Sequence, residues 1–387
     1  MASILFIMYW ILKSFYTQSS GGLQIGDYVF VLSFFVFFAD KAFKGKGIDD
    51  ITQQDILFFF FVVCVGVING AYFILNGEGS FLYPIFYFVF NFCVIIEFRE
   101  LAKSKKFLDG FFIATFLCIA IQFLIYLSGR GRWLDGVGVR YMGTFNDPNQ
   151  LAFFVMSRFF ILYIMFTYQN INTKMRLILT IVSFIITVFL VVQSASTGML
   201  LGLAVFSVAW LVRYYIISKP TKKVIFSFCA ILFVLIFFLV GGDKLLNIQL
   251  FGGEFISDRL EHKLGLADGG GLTALINDRC LGPFFAKPYY TLFGAGEGGF
   301  YRFIDVGSRG GEMHSTILGL LFYYGIIPYI ILYKWIKVNV KGVKGAAWVV
   351  FIALFVEMLT LVNHRQASLW IIFILPNLLM IKERDNA

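Results

Sequence analysis

Long apolar runs alternate with short polar intervals along almost the whole of this chain. They lie at roughly 3–17, 24–40, 55–75, 81–98, 107–127, 149–168, 177–193, 198–217, 224–241, 314–333, 346–362 and 367–381. A helix that crosses a bilayer needs about 20 mostly apolar residues. The pattern therefore predicts an all-α polytopic membrane protein with about twelve transmembrane helices. The first run, around Ile4–Leu12, has no basic residue before it and no small-residue cleavage site after it, so it reads as a retained helix rather than a signal segment. No internal repeat is visible, and the phenylalanine bias reads as lipid-facing filler.

The polar intervals fall into two chemically different sets. One set holds Lys41, Lys44, Lys46; Arg99, Lys103, Lys105, Lys106; Lys174, Arg176; Lys219, Lys222, Lys223; Lys334, Lys337, Lys341, Lys344; and Lys382, Arg384. Short loops rich in positive charge mark the cytoplasmic side, which puts both termini there. The other set contains two longer segments, 128–148 and 242–313, expected outside. Long loops in compact proteins are usually functional or disordered. The second carries Ile256, Leu260 and Leu264 at helical spacing, so it reads as an ordered, membrane-lying lid with short helices.

Composition sharpens this picture by exclusion. Of 387 residues, 59% are hydrophobic, 19% aromatic and only 14% charged, with 49 Phe against 7 Pro. A soluble domain is about 25% charged. A cytosolic enzyme, a secreted disulfide scaffold and a disordered chain are thereby excluded. The net charge of +9 does not point to nucleic acid, because the basic residues sit in clumps between apolar runs rather than on one face. Cys64, Cys93, Cys118 and Cys229 lie inside apolar runs and Cys280 stands alone in a polar segment, so no disulfide framework is read. No CxxC or HExxH spacing occurs and the only histidines are His262, His314 and His364, so neither a metal nor another cofactor is expected.

The choice of cation differs between the two sides. The cytoplasmic set holds fifteen Lys and three Arg, whereas the outer segments hold Arg130, Arg132, Arg140, Arg259, Arg279, Arg302, Arg309 and Arg365 against Lys244, Lys263 and Lys287. Lysine suffices as a topology charge, but arginine presents a rigid fork that grips phosphate bidentately. The bias points to a phosphorylated ligand at the outer leaflet. Pairing of these arginines with Asp258, Glu261, Asp268 and Asp278 is the alternative.

Three motifs stand at the outer interface. In Arg140-Tyr141-Met142-Gly143-Thr144-Phe145-Asn146-Asp147-Pro148-Asn149, the Asn-Asp-Pro-Asn portion reads as a turn and a helix N-cap, with Asn149 capping. His314-Ser315, nine residues and then Gly325 open the tenth helix; a histidine at an interface without any function is the plain alternative. Gly294, Gly296 and Gly299 match GxGxxG, but without a βαβ context the match carries no nucleotide site. Arg158, about 13 Å down its helix from Asn149, is a costly intramembrane charge, and Glu357 is its candidate counter-ion.

In sequence order these residues resemble the O-antigen polymerase and O-antigen ligase superfamily of bacterial inner membranes. The order is Arg140-x-x-Gly-x-Phe-x-x-Pro-Asn149, a Ser194-x-Ser196 segment, Arg279 ahead of Phe-Gly-Ala-Gly, and His314-Ser315-x9-Gly325. The resemblance spans about 140–330 and includes the large periplasmic loop before the tenth helix. It implies a GT-C-like enzyme that takes a glycan from undecaprenyl diphosphate without a metal. By this resemblance Arg140 and Arg279 would clamp the diphosphate and His314 would orient or deprotonate the acceptor hydroxyl; Asn149 and, from the outer arginine bias, Arg130, Arg132 and Arg309 are the candidate substrate-binding residues. Implied partners are the lipid-linked donor and acceptor, membrane lipid and a chain-length regulator protein.

Two departures qualify the match. Thr197 stands where Ser-x-Ser often continues with Arg, which removes a phosphate contact there. Pro328 stands where the ligases carry Gly, Thr or Tyr, which favours the polymerase branch over transfer of finished polymer to lipid A-core. Outside enzymes, the competing reading is a flippase for lipid-linked oligosaccharide or another transporter. Such proteins commonly show internal repeats and midplane sites in broken helices.

Overall fold

A computed structural model of the chain describes residues 1–18, 22–45, 51–134, 139–168, 174–219, 276–306 and 311–385. The span expected at 224–241, the helical stretch at Ile256–Leu264 and Arg309 lie outside the described residues. The N-terminal part comprises α1 (Ala2–Leu12), α2 (Ile25–Phe43), α3 (Gln53–Asn76), α4 (Tyr83–Ala102) and α5 (Lys105–Leu127). Strands β1 (Arg132–Leu134) and β2 (Arg140–Gly143) follow, then α6 (Pro148–Tyr168), α7 (Lys174–Ser194) and α8 (Thr197–Ile217). After two short helices, α9 (Gly282–Ala286) and α10 (Tyr290–Phe293), come α11 (Thr316–Tyr324), α12 (Ile326–Val340), α13 (Gly345–Thr360) and α14 (Ala367–Asp385). Among the described residues six helices, α3 to α8, are long and apolar enough to cross a membrane. Three shorter apolar ones lie at Ala2–Leu12, Gly345–Thr360 and Ala367–Met380.

Helix ends are set by local chemistry. Thr52 and Asp55 form a reciprocal capping box at the start of α3, and Gly77, at φ +72°, ends that helix in the left-handed conformation. Helix α6 is buried along almost all its length, packed by α5, α7 and α14, and forms the centre of the bundle. At one end of the bundle ion pairs link α2 to α4 (Lys41–Glu100), α3 to α4 (Asp55–Arg99) and α5 to α7 (Asp109–Arg176). The Lys344 amide donates to the Tyr168 hydroxyl at 2.6 Å there, joining the end of α6 to the start of α13. The segments after α5 and before α11 gather at the opposite end.

Four features depart from the sequence pattern. The polar segment after α5 holds an antiparallel hairpin, pairing Trp133 with Tyr141 and Leu134 with Arg140, so the chain is not purely helical. Many phenylalanines are not lipid-facing. Phe6, Phe30, Phe98, Phe107 and Phe111 form one buried cluster around Tyr9 and Trp10, and Phe58 packs on Trp335 and Trp370 with centroids 4.9 and 5.1 Å apart. Hydropathy cannot separate a lipid-facing ring from a helix-facing one, because both surroundings are apolar.

The tenth helix is the third departure. It begins at Thr316, with Ser315 as N-cap and His314 ahead of it, and it breaks at Gly325 into α11 and α12. Gly325 has φ +75°, and a Cβ there would lie 2.6 Å from the Leu292 carbonyl oxygen. The carbonyls freed at the break are taken up by the glycine-rich loop: Ala295 and Gly296 amides donate to Phe322 and Tyr323 oxygens at 2.9 Å each. Gly294 and Gly296, both at positive φ, let the loop backbone approach this closely.

The fourth departure concerns the intramembrane charges. The Arg158 guanidinium lies 3.5 Å from the Trp10 ring centroid and 4.5 Å from that of Phe154, facing α1 rather than α13. The Glu357 side chain instead presses on Gly202 of α8, and neither of its oxygens has a hydrogen-bond partner. The two residues point to different neighbours, so Glu357 is not the counter-ion of Arg158.

Candidate functional site

The start of α6 organises the first half of the site. The Asp147 carboxylate accepts the Asn149 amide at 2.7 Å, so Asp147, not Asn149, serves the helix end as a cap does. This releases the Asn149 side chain inward. Its Oδ1 accepts the Ser196 hydroxyl at 2.7 Å and Nη2 of Arg140 at 3.3 Å. Arg140 arrives from the buried strand β2 and its Nε donates to the Ser194 carbonyl at 2.9 Å. Between Ser194 and Ser196 the turn from α7 to α8 places Ala195 at φ +46°, a left-handed conformation that a non-glycine residue adopts at a cost. The Ser196 hydroxyl does not cap α8 but donates to Asn149, so the amino end of α8, a partial positive pole, lies next to the Arg140–Asn149 pair.

The second half is built from α13 and the segment before α11. Gly198, in the first turn of α8, abuts Thr360 at the end of α13; a Cβ on Gly198 would lie 2.6 Å from Thr360 Oγ1. The Thr360 carbonyl accepts Nη1 of Arg279 at 2.5 Å, and Asp278 lies 3.4 Å from Arg279 Nε. The Arg279 carbonyl accepts the His314 amide at 2.8 Å, so these two residues meet directly although far apart in sequence. The His314 ring places Nδ1 2.8 Å from the Glu312 carbonyl oxygen. A carbonyl only accepts, so Nδ1 carries the hydrogen and the lone pair of the neutral ring lies on Nε2. Arg140, Asn149, Arg279 and His314 are thus joined at one end of the bundle through Ser196, Gly198 and Thr360.

The remaining residues read from the sequence stand apart. Arg130 is exposed after α5. Arg132 is exposed too, and it straps the hairpin to the rest of the fold by donating to the Tyr16 carbonyl at 2.9 Å, Asn146 Oδ1 at 3.0 Å and the Thr144 carbonyl.

A second cluster beside His314 was not foreseen. Glu297 is fully buried and accepts from the Tyr324 hydroxyl at 2.5 Å, from Arg365 Nε at 2.9 Å and lies 3.2 Å from His364 Nε2. Arg365 also reaches Glu312 at 2.5 Å. Asn69 of α3 fixes the Glu297 backbone, accepting its amide and donating to its carbonyl at 3.1 Å each. Burial pushes the Glu297 carboxyl up, but the Arg365 charge and His364 outweigh it and hold the group well below the usual carboxylate range. Burial likewise disfavours a charged Arg365, yet Glu297 and Glu312 keep its guanidinium firmly protonated. The signal in the sequence was a carboxylate embedded in a glycine run, matched by His364-Arg365 between two apolar runs.

Among the described residues no three His, Cys, Asp or Glu side chains gather as a metal site requires. No protein-family model matches the chain, and no curated protein matches it significantly. Function is therefore read from the side chains themselves.

Proposed function

We propose that this chain is a glycan polymerase resembling the O-antigen polymerases, acting at the periplasmic face of a bacterial inner membrane. It transfers a growing glycan from undecaprenyl diphosphate onto a new lipid-linked repeat unit. The observation that carries this reading is the meeting of Arg279 with His314, and of Arg140 with Asn149 and the amino end of α8, at one end of a membrane-type bundle.

In this mechanism the acceptor hydroxyl attacks the anomeric carbon of the donor sugar. Its oxygen forms the new glycosidic bond, its proton passes to His314 Nε2, and the bond from anomeric carbon to diphosphate oxygen breaks with its electron pair leaving on the diphosphate. Histidine suits proton removal near neutral pH. Charge grows on the leaving diphosphate, where fixed guanidinium groups and a helix amino terminus lower the barrier most. Arg279 and Arg140 are oriented by the Thr360 and Ser194 carbonyls before substrate arrives.

The test is chain extension in isolated membranes supplied with labelled lipid-linked repeat, read as product length on a gel. His314→Ala should abolish extension. Arg279→Ala truncates one partner of a buried charged contact and should lose about 2–5 kcal/mol of binding to the transition state; Arg279→Lys keeps the charge but loses the fork and should also be strongly impaired. A fully active Arg279→Lys enzyme would reduce that residue to a diffuse positive field, and a fully active His314→Ala enzyme would remove the proposed base.

A further inference from the structure

We infer that Glu312 and Arg365 are positioning residues for His314, with Glu297 as their buried anchor; this rests on the glycan-transfer reading of the same site. His314 precedes α11 in a non-helical stretch, so its ring is not oriented by helix geometry. Its orientation comes from the Glu312 carbonyl on Nδ1. That peptide is in turn fixed through its own side chain, since Glu312 Oε2 meets Arg365 Nη2 at 2.5 Å. Arg365 is gripped from the other side by Glu297, whose backbone is pinned by Asn69. A continuous strap thus runs from the bundle interior at α3 through Glu297, Arg365 and Glu312 to the imidazole.

The Glu312 link is not required to bury Glu297. That carboxylate is already met by Arg365, His364 and Tyr324. What the extra carboxylate does is tie the segment carrying His314 to this anchor. It also commits Arg365, which spans two carboxylates. A general base works when a further group holds its ring in one tautomer and one direction. Here a backbone carbonyl fixes the tautomer and the strap fixes the carbonyl.

The experiment compares the full-length protein with Glu312→Gln, which loosens only the outer link, and with Arg365→Lys, which removes the bridge. Imidazole ¹⁵N spectra of the detergent-solubilised protein report the tautomer, and His314→Asn identifies the His314 signals by their loss. The wild-type ring should show hydrogen on Nδ1 and a lone pair on Nε2. In Glu312→Gln the signals should move towards a tautomer mixture, and kcat for chain extension should fall about a hundredfold, the scale of a small misplacement of a reacting group. KM for the lipid-linked repeat should stay near its wild-type value. Arg365→Lys should do the same or worse. Unchanged His314 signals and kcat in Glu312→Gln would overturn the positioning role, even where Arg365→Lys fails to fold. Shifted signals in Glu312→Gln alongside a fully active His314→Asn would support the strap and sink the transfer mechanism instead.

Discussion

Glu297 and Glu357 are both fully buried carboxyl groups, and they differ in what stands beside them. Glu357 presses on Gly202, with no hydrogen-bond partner on either oxygen. Glu297 has a guanidinium, an imidazole and a phenol. A carboxyl whose folded-state affinity for protons is depressed binds fewer protons folded than unfolded, so its contribution to stability is complete above the unfolded value, about 4.3 for Glu, and fades as pH falls towards the lower folded value. Thermal unfolding in detergent should therefore be insensitive to this group from neutral pH down to about pH 4.5 and weaken below it. Glu297→Gln leaves Arg365 with Glu312 as its remaining carboxylate, so it should destabilise the fold at pH 7 by less than the about 3–5 kcal/mol of a buried charge left wholly unpaired. The same variant should flatten the acid limb of the unfolding midpoint against pH. An acid limb identical to the wild type would show that another carboxylate sets it.

Between α11 and α12 the decisive feature is a break rather than a helix. A continuous helix would need Gly325 in a right-handed conformation, yet its φ of +75° and the contacts of Leu292 and Gly294 on its Cβ position hold the chain bent. Gly325→Ala should cost about 1–3 kcal/mol from backbone strain alone, and more once the 2.6 Å approach to the Leu292 oxygen is relieved by movement. Gly70→Ala in α3, where nothing lies within 4 Å, should leave the unfolding midpoint near the wild-type value. Equal midpoints for the two variants would mean the bend is not held by this contact. The break was missed because hydropathy, which reports surroundings and not φ, reads 314–333 as one run; the signal lay in Gly325 followed by Pro328, a glycine helix end with a proline just beyond it. Helices α3 to α8, by contrast, were legible within a few residues of their ends because each is bounded by polar residues. The hairpin was missed because strands of three and four residues leave no periodicity to read. Of the candidate site, Arg140, Arg279 and His314 were named from their order along the chain, and the fold brings them to one end of the bundle. Arg365 was named only as one of the outer arginines and Glu297 not at all, because their partnership is made only by the fold.

At the scale of the whole molecule the two ends are chemically distinct. One is tied by Lys41–Glu100, Arg99–Asp55 and Arg176–Asp109, and the other gathers Arg140, Arg279, Arg365 and His314 around the end of α13 and the starts of α6, α8 and α11. Within the proposed class the same arginine-and-histidine end serves two reactions that differ only in the acceptor, and the products tell them apart. A polymerase lengthens a lipid-linked chain, whereas a ligase moves whatever chain exists onto lipid A-core. Deleting the gene in its native host should leave surface lipopolysaccharide bearing a single repeat unit, because a separate ligase still transfers the unpolymerised unit. A His314→Ala allele should give the same one-repeat product while the protein stays in the membrane, since His314 precedes α11 and only its ring is lost. Bare core with polymer accumulating on undecaprenyl diphosphate would make this chain the ligase, with Pro328 no obstacle to that acceptor. If no chain reached the outer leaflet at all, the polar end described here would be the mouth of a transporter, and His314→Ala would then block export rather than lengthening.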